Sequence, residues 1–331
     1  MKRLFPAVVV LVLALAAMAF ATACGDDDDD GGGTGTDDVS LTQGGDLKIA
    51  VITHGAGDSF WAVAKRGAEQ AGKDMGVDVQ YSESANDPQK QAQLIDAAVT
   101  DKVDGIAVSA PNPDALRDPL KKAVDAGIPV ITLNSGQADS ADLGAITHVG
   151  QDEGIAGEAA GRRLAEGGSQ KLLCVIHEQA NIGLNQRCDG AKQGFGGEVE
   201  NLQVTGVNDI STTLTEIQSK LESDDSIDAV LTLNPDIAVA ARDAVQGASS
   251  EAKLATFDLS GDVVNAIEAG EIEFAIDQQQ YLQGYLPVVF LKLFKDNANT
   301  VGGGRPVLTG PGFVDKANAA TVKQLAEEGT R

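Results

Sequence analysis

Short apolar runs alternate with longer segments of helical periodicity along most of the chain. Strands are predicted at residues 47–53, 77–81, 105–109, 128–133, 146–149, 171–176, 202–207, 229–233, 253–257 and 272–276. Helices are predicted at residues 60–75, 88–100, 114–126, 153–166, 187–195, 213–222, 237–246, 263–269 and 281–294. Strands of about four to seven apolar residues that alternate with helices of about 12 residues are typical of parallel sheets covered on both faces. Since so many units overfill one open sheet, the pattern predicts an α/β protein with two doubly wound lobes.

Polar side chains and two aromatic rings follow the predicted strands. In doubly wound sheets, ligands bind beyond the carboxyl ends of the strands, where the loops gather. The residues predicted to contact a ligand there are Asp58, Phe60, Trp61, Asn134, Arg187, Asn234, Asp258 and Gln278. Carboxylates, carboxamides and a guanidinium group form hydrogen bonds in fixed directions, and aromatic rings suit the C–H faces of sugars. The sequence therefore predicts a cleft for a small polar ligand, with a carbohydrate favoured.

Each of these residues also has a purely structural interpretation. Asp58 is suited to cap the first helix, and Asn134 and Asn234 are typical of loops and helix caps. Arg187 is compatible with a surface position, and the two aromatic residues are compatible with the hydrophobic core. The convergence of the whole set on one edge of the sheets is what favours a ligand site.

The sequence contains neither the motif of an activated nucleophile nor that of a metal site. Gly-x-Ser-x-Gly and His-Glu-x-x-His do not occur, and the three histidines are scattered. Gly55 and Gly57 begin a dinucleotide fingerprint after the first strand, but Phe60 occupies the position of its last glycine. We therefore expect no catalytic residue, no metal and no cofactor. A tethered enzyme is the alternative to a binding protein.

The first 45 residues differ in composition from the rest of the chain. A basic start, an apolar run at 7–20 and three small residues predict a signal peptide at 1–23, with an uncleaved anchor helix as the alternative. The residues around Cys24 resemble a bacterial lipobox, which implies lipidation of this cysteine. The segment 24–45 is rich in aspartate and glycine and has nothing to bury, so it is predicted to be an extended tether.

Charge and cysteine content narrow the class of protein further. A formal net charge of −24 disfavours binding to nucleic acid or to anionic membranes. Beyond Cys24, the chain contains only Cys174 and Cys188. In an exported protein such a pair suggests a disulfide bond, and two buried free thiols are the alternative.

An ordered series of short motifs runs through residues 47–315. Its members are the segments 58–61, 86–88, 103–109, 127–134, 234–238, 257–258, 267–270 and 275–278. In this order, the motifs resemble those of the type I periplasmic binding proteins of sugar ABC transporters, the ribose-binding-protein-like group. The individual motifs are short, and the series as a whole is specific.

This resemblance implies two lobes joined by a three-segment hinge, with the ligand between them. Lobe 1 is expected at 46–150 plus 279–308, and lobe 2 at 151–278 plus 309–331. The eight residues named above fall on the family's ligand-binding positions. Asn134 stands where ribose binders carry Asp, and Ser135 where they carry Arg. These departures remove a strong carboxylate–arginine pair, which argues against ribose itself.

The resemblance also implies the partners of the protein. It is expected to be an exported, lipid-anchored monomer of the cell envelope that passes a monosaccharide to the permease subunits of an ABC transporter. A cyclitol, a nucleoside or a furanosyl signal is the alternative ligand, and a sensory role that feeds a receptor is the alternative to transport. Sugar-responsive repressors share the fold but begin with a helix-turn-helix, whereas this chain begins with a predicted signal peptide and acidic tether.

Overall fold

The computed structural model describes residues 47–331. The predicted signal peptide, the lipidation site Cys24 and the tether at 24–45 lie outside the described residues. The strands are β1 (Lys48–Thr53), β2 (Asp78–Glu83), β3 (Gly105–Ser109), β4 (Val130–Asn134), β5 (Thr147–Gly150), β6 (Lys171–Ile176), β7 (Glu198–Gln203), β8 (Ala229–Thr232), β9 (Lys253–Phe257), β10 (Phe274–Asp277), β11 (Val307–Leu308) and β12 (Gly312–Asp315). The helices are α1 (Ser59–Met75), α2 (Pro88–Thr100), α3 (Pro113–Asp125), α4 (Glu153–Glu166), α5 (Ile182–Phe195), α6 (Ile210–Ser223), α7 (Pro235–Gly247), α8 (Gly261–Ala269), α9 (Gln280–Asn297) and α10 (Ala319–Glu328).

The strands form two six-stranded sheets with equivalent spatial orders. The sheet of lobe 1 runs β11-β5-β4-β3-β1-β2, and that of lobe 2 runs β12-β10-β9-β8-β6-β7. All neighbours in the first sheet are parallel. In the second sheet β12 alone is antiparallel, where it pairs with β10. The predicted fold class, α/β with two doubly wound lobes, is confirmed, and the predicted lobe boundaries stay a prediction.

Each sheet separates two apolar layers because side chains alternate between its faces. In β1, Ile49 and Val51 pack with residues of α1 and α9, whereas Ala50 and Ile52 pack with residues of α2 and α3. The second sheet is covered by α4 and α5 on one face and by α6, α7 and α8 on the other. None of the helices within residues 47–331 is both long enough and apolar enough to cross a membrane.

Each lobe also receives one helix that follows a strand of the other lobe. The helix α4 follows β5 but packs on α5, and α9 follows β10 but packs on α1. Both pairs approach closely at glycines. A Cβ on Gly284 would lie 1.8 Å from the carbonyl oxygen of Ala64, and one on Gly157 would lie 2.0 Å from that of Arg187. This exchange brings the first turn of α4 next to the residues that α5 carries.

Some predicted elements differ from the structure. The strand predicted at 202–207 is wrong: β7 spans Glu198–Gln203, an edge strand of exposed and half-buried residues with no continuous apolar run. The helix predicted at 187–195 begins earlier, at Ile182, because the Asn181 side chain caps it by accepting a hydrogen bond from Gly183 N. The apolar pattern does not predict β11, β12 or α10, since these strands are very short and α10 buries few residues.

Candidate ligand-binding site

A buried cavity lies between the two lobes, at the carboxyl ends of their strands. Its lining includes all eight residues predicted to contact a ligand, namely Asp58, Phe60, Trp61, Asn134, Arg187, Asn234, Asp258 and Gln278. The lining also includes residues outside that prediction: His54, Ser135, His177, Glu178, Asn181, Gly183, Leu184 and Leu233. The structure thus brings the predicted residues together, and their contact with a ligand stays a prediction.

Lobe 1 supplies the aromatic wall of the cavity. Asp58 caps α1 by accepting a hydrogen bond from the backbone N–H of Trp61, with a distance of 2.9 Å. Phe60 and Trp61 therefore lie in the first turn, where their rings pack edge to face with centroids 4.9 Å apart. Gly55 makes room for the indole, because a Cβ there would lie 1.8 Å from Trp61 Nε1. Both rings belong to the core of lobe 1 as well as to the cavity, so the two interpretations from sequence are compatible.

Lobe 2 supplies the charged wall. The helix α5 carries Arg187, and a disulfide between Cys174 and Cys188 ties this helix to β6. Arg187 forms a bidentate ion pair with Glu153 of α4, with Nε–Oε2 and Nη2–Oε1 distances of 2.6 and 2.9 Å. Burial opposes the charge on Arg187, but the Glu153 carboxylate outweighs it and raises the pKa of the guanidinium group. Arg187 is only 3% exposed, so it is not a surface charge.

Two cavity residues at the ends of central strands have left-handed backbone conformations. Asn134 ends β4 with φ of 59°, and Asp258 directly follows β9 with φ of 71°. Such values strain residues other than glycine and persist where the surrounding structure requires them, often at functional positions. Both side chains line the cavity, one from each lobe. The strained backbone is therefore consistent with a requirement that both side chains face the cavity.

A chain of buried carboxamides connects these two residues. Asn134 Nδ2 donates a hydrogen bond to Gln283 Oε1 at 3.2 Å, and Gln283 Nε2 donates to Gln278 Oε1 at 2.8 Å. Gln278 Nε2 in turn donates to Asp258 Oδ1 at 2.8 Å. Gln283 Nε2 also lies 3.1 Å from Thr309 Oγ1. Since Gln278 and Thr309 lie where the chain passes between the two sheets, this network links the cavity to the hinge.

Burial makes two carboxyl groups of the cavity easy to protonate. It raises the pKa of Asp58 to about 7, although the hydrogen bond from Trp61 opposes the shift. It also raises the pKa of Asp258 to about 7, although Arg187, whose Nη1 lies 3.9 Å from Asp258 Oδ2, opposes the shift. Because Arg187 directs two nitrogens to Glu153, it compensates Asp258 only in part. A ligand that donates hydrogen bonds would stabilise both carboxylates.

A further polar cluster, absent from the predicted set, connects the lobes around His54. Glu178 Oε2 lies 3.4 Å from His54 Nε2 and accepts a hydrogen bond from Asn181 Nδ2 at 2.8 Å. His54 Nδ1 lies 2.8 Å from Ser109 Oγ. Burial opposes the charge on Glu178, but His54 and Asn181 outweigh it and lower the pKa of this carboxyl group. His54 and Glu178 follow β1 and β6 within two residues, and this position in the chain is the signal that identifies them.

Direct hydrogen bonds also join the two lobes at the N-termini of α1 and α7. Asn234 caps α7 by accepting a hydrogen bond from Asp236 N at 2.8 Å, and its Nδ2 lies 3.4 Å from Asp58 Oδ2. Ser59 donates hydrogen bonds to the Asp236 carboxylate from both its backbone N–H and its hydroxyl group. Asp58 and Asn234 are therefore helix caps and cavity residues at once. The lobes contact each other beside the cavity, which is closed on this side.

The chemistry of the lining defines what the cavity can hold. Within residues 47–331, no group of three or more His, Cys, Asp or Glu residues is arranged to hold a metal ion. The lining offers acceptors on the carboxylates, donors on Arg187 and the carboxamides, and two aromatic rings. Glu153, which the periodicity predicts only as part of a helix, acts by holding Arg187. The arrangement suits a small ring with hydroxyl groups around its edge and C–H groups on its faces.

Comparisons with known proteins agree with this architecture. Residues 49–296 match the family described as the periplasmic binding protein domain. The ribose import binding protein of Haemophilus influenzae is 25% identical over 245 residues, which cover 73% of this chain and 83% of that protein. The crystal structure of a carbohydrate transporter from Acidothermus cellulolyticus 11B in complex with myo-inositol is 46% identical with a TM-score of 0.84, and the match covers 86% of this chain and 99% of that one. A periplasmic sugar binding protein of Legionella pneumophila is 25% identical with a TM-score of 0.74, and the match covers 80% and 99% of the two chains.

Proposed function

The chain belongs to the family of periplasmic binding proteins, and on that premise we propose that it captures one small polyhydroxylated ring between its lobes. The first candidate ligand is a cyclitol of the myo-inositol type, and a monosaccharide is the second. The observation that carries the proposal is the buried cavity in which all eight predicted residues meet. Since its relatives and structural neighbours bind solutes, the protein is a binding protein and not an enzyme.

The balance of hydrogen-bonding groups favours a cyclitol. Asp58, Glu178 and Asp258 present acceptors to the cavity, whereas the strongest donor, Arg187, is largely engaged by Glu153. A cyclitol has a hydroxyl group on each ring carbon and no ring oxygen, so every polar group of the ligand can donate a hydrogen bond. Its C–H faces would pack on Phe60 and Trp61. The complex of the Acidothermus protein with myo-inositol supports this class of ligand.

A monosaccharide is supported by the curated relatives. These include ribose import binding proteins that are 24–25% identical to this chain. The Asn134–Ser135 pair argues for a ligand other than ribose, because Ser135 Oγ donates to Asn134 Oδ1 at 2.9 Å and the pair is neutral. Hydrogen bonds between charged and neutral partners are stronger than those between neutral groups. A ribose binder that used a carboxylate and an arginine here would hold its sugar more tightly at this point.

We propose that the ligand acts by stabilising the closed arrangement of the lobes. Lobe 1 would contribute Asp58, Phe60 and Trp61, and lobe 2 would contribute Arg187 and Asp258, so only the closed form would make all contacts. The permease of an ABC transporter would then recognise that form and accept the ligand. Relatives that are import binding proteins support this role and export to the periplasm. Lipidation at Cys24 and a monomeric state belong to the same proposal.

Calorimetric titration of the ligand-free protein tests the ligand class. The panel is myo-inositol, D-ribose, D-glucose, adenosine and L-alanine, with Asp258→Asn as the site variant and Asp114→Asn, at an exposed helical position, as the control. We expect binding of myo-inositol at one ligand per chain, weaker binding of the sugars, and a loss of affinity in Asp258→Asn only. A response to adenosine or L-alanine without one to any polyol would contradict the proposal.

A further inference from the structure

A second cavity adjoins the first and shares part of its wall. His54, His177, Glu178 and Asn181 line both cavities, so a single layer of side chains separates them. We call the first cavity the inner chamber and the other the second chamber. The second chamber is the larger of the two. Its other polar lining residues are Asn86, Gln91, Asn112, Gln179, Thr205 and Asn208.

The two chambers occupy related places in the internal repeat of the fold. The segment Asn112-Pro-Asp opens α3 after β3, and the same three residues, Asn234-Pro-Asp, open α7 after β8, the equivalent strand of the other sheet. In the inner chamber, the capped N-terminus of α1 faces the Asn234 turn. In the second chamber, the capped N-terminus of α5 faces the Asn112 turn, where Ile182 N donates a hydrogen bond to Pro111 O at 3.1 Å. The second chamber therefore repeats the framework of the inner one, with the roles of the lobes exchanged.

The lining of the second chamber is polar and mostly uncharged. Five of its side chains are carboxamides besides Asn181, no lysine or arginine lines it, and Glu178 is its single carboxylate. Carboxamides donate and accept hydrogen bonds equally, which suits hydroxyl groups and gives no advantage to an anion. The lining also includes Pro88 and Pro111, which offer apolar surface. This combination matches a neutral hydroxylated ring.

His177 gives an independent indication of a ligand. Its side chain lines both chambers and is 8% exposed, yet Nδ1 has no hydrogen-bond partner among the described residues. Burial lowers the pKa of His177 to about 4, so the imidazole is neutral at physiological pH. A buried polar atom without a partner is uncommon and requires an explanation. A ligand hydroxyl group at the boundary between the chambers would supply the missing hydrogen bond.

We propose that the second chamber is a subsite for a second, uncharged hydroxylated ring, so that the preferred ligand is a glycosylated cyclitol or a disaccharide. The inference rests on the proposed function, because the first ring occupies the inner chamber. The bond between the rings passes the side-chain layer at Glu178 and Asn181, whose contacts with His54 span the lobes. Displacement of these side chains within the closed protein joins the chambers.

Matched ligands with and without a second ring test this inference. Titration calorimetry compares myo-inositol with galactosyl-myo-inositol on the wild-type protein and on Ala180→Trp, which places a bulky ring at the exposed edge of the second chamber. We expect the galactosyl compound to bind about tenfold more tightly than myo-inositol to the wild type. In Ala180→Trp the advantage disappears while the affinity for myo-inositol is unchanged. Ala320→Trp, at an exposed position of α10, is the control and retains the advantage.

Asn208→Trp gives a second obstruction from another exposed residue of the lining, in case the first variant folds poorly. Binding of myo-inositol without any gain from the galactosyl group would overturn this inference and leave the proposed function intact. A gain that persists in both tryptophan variants would also overturn it. If myo-inositol does not bind but the galactosyl compound does, and both variants abolish that binding, the subsite is supported and the bare cyclitol is rejected as a ligand.

Discussion

The link that follows β1 in lobe 1 and the link that follows β6 in lobe 2 occupy equivalent places in two sheets of equivalent order. Each link begins with a histidine, His54 or His177, and ends with a helix cap, Asp58 or Asn181. The helices then diverge, because α1 presents aromatic rings to the cavity and α5 presents Arg187. One backbone framework thus carries an aromatic wall of the cavity in lobe 1 and a charged wall in lobe 2.

The two walls are held in different ways. In lobe 1, Phe60 and Trp61 are fixed by packing within the hydrophobic core. In lobe 2, Arg187 is fixed by a buried ion pair and by a disulfide next to it in the chain. Apolar packing tolerates changes of shape better than a buried charge tolerates the loss of its partner. Lobe 2 should therefore be the more sensitive lobe to single substitutions at the site.

The largest effect is expected from Arg187→Met. It leaves Glu153 buried without its partner, and breaking a buried ion pair in this way costs about 3–5 kcal/mol. We expect the free energy of unfolding in urea to fall by about this amount and ligand binding to be lost. Phe60→Leu in lobe 1, an apolar change of moderate volume, should cost only about 1–1.5 kcal/mol.

The double variant Glu153→Gln/Arg187→Met provides the control for charge. It removes both members of the ion pair, so it should recover most of the stability that Arg187→Met loses. Ligand affinity should stay low because the guanidinium group is absent from the cavity. If Arg187→Met and Phe60→Leu destabilise the protein equally, the proposed difference between the lobes is wrong.

Removal of the disulfide should have the next largest effect on the free energy of unfolding. Among the described residues, only lobe 2 contains a disulfide. Cys174→Ala/Cys188→Ala opens a loop with a sequence separation of 14 residues. Loop-closure entropy predicts a loss of about 3 kcal/mol for a loop of this size. Chemical denaturation of the variant and of the wild type measures this loss directly. An unchanged unfolding midpoint would mean that helix packing alone fixes α5.

Ligand affinity of the same variant tests whether the disulfide also positions Arg187. We expect weaker binding even under conditions where the variant is fully folded, since α5 would keep its packing on α4, β6 and β7 but lose its covalent link to β6. Wild-type protein under reducing conditions is the matched control, because both cysteines are buried and should resist reduction in the folded state.

The parts of this site that sequence predicts are those that depend on position along the chain. Asp58 and Trp61 follow a strand directly, and the carboxyl end of a parallel strand fixes where such residues lie. Glu153 differs, because its role depends on α4 leaving lobe 1 to pack on α5. Gln283 lies in the first turn of α9 and accepts a hydrogen bond from Asn134, which is 149 residues earlier in the chain. Contacts between the lobes require a three-dimensional arrangement that local periodicity does not contain.

The repeat of Asn-Pro-Asp at Asn112 and Asn234 is a signal of duplication that the apolar pattern does not use. It marks equivalent turns of the two lobes, after β3 and β8. By contrast, the edge strand β7 has no strong signal, since exposed polar residues interrupt it. Prediction is therefore best for buried central strands and poorest for edges and for residues whose partners lie in the other lobe.

The pH dependence of stability should reveal the two buried aspartates, one from each lobe. Both Asp58 and Asp258 have a pKa of about 7 in the folded protein, against 3.8 for an ordinary aspartate. The folded protein therefore binds protons more tightly than the unfolded chain, and these groups reduce the free energy of unfolding as pH rises from about 4 to about 7. Asp58→Asn and Asp258→Asn should each gain stability relative to wild type, by more than about 1 kcal/mol, between pH 5 and pH 7.

Urea denaturation at several pH values measures this difference for each variant. Asp114→Asn, whose carboxylate is exposed, should change stability by the same amount at every pH in this range. Saturating ligand should reduce the effect, because hydroxyl donors favour the ionised carboxylates. A difference between variant and wild type that does not change with pH would show that both aspartates are already ionised in the free protein.

The smallest effect should come from the contact that closes the lobes beside the cavity. Ser59 of lobe 1 donates to Asp236 of lobe 2, and no ligand group takes part. Ser59→Ala removes the hydroxyl donor and keeps the backbone donor, so we expect a loss of about 0.5–1.5 kcal/mol in binding free energy. The loss should appear as faster dissociation of the ligand in stopped-flow measurements, since the contact forms only after the lobes close.

Ser226→Ala is the control. It removes a similar bond, to Asp224, that lies within one lobe, and it should leave the dissociation rate of the ligand unchanged. The equivalent contact on the other side, Ile182 N to Pro111 O, uses backbone atoms alone and survives both substitutions. If the ligand dissociates equally fast from Ser59→Ala and Ser226→Ala, closure depends on the ligand and on the other contacts between the lobes, and the Ser59 hydroxyl group contributes nothing to retention.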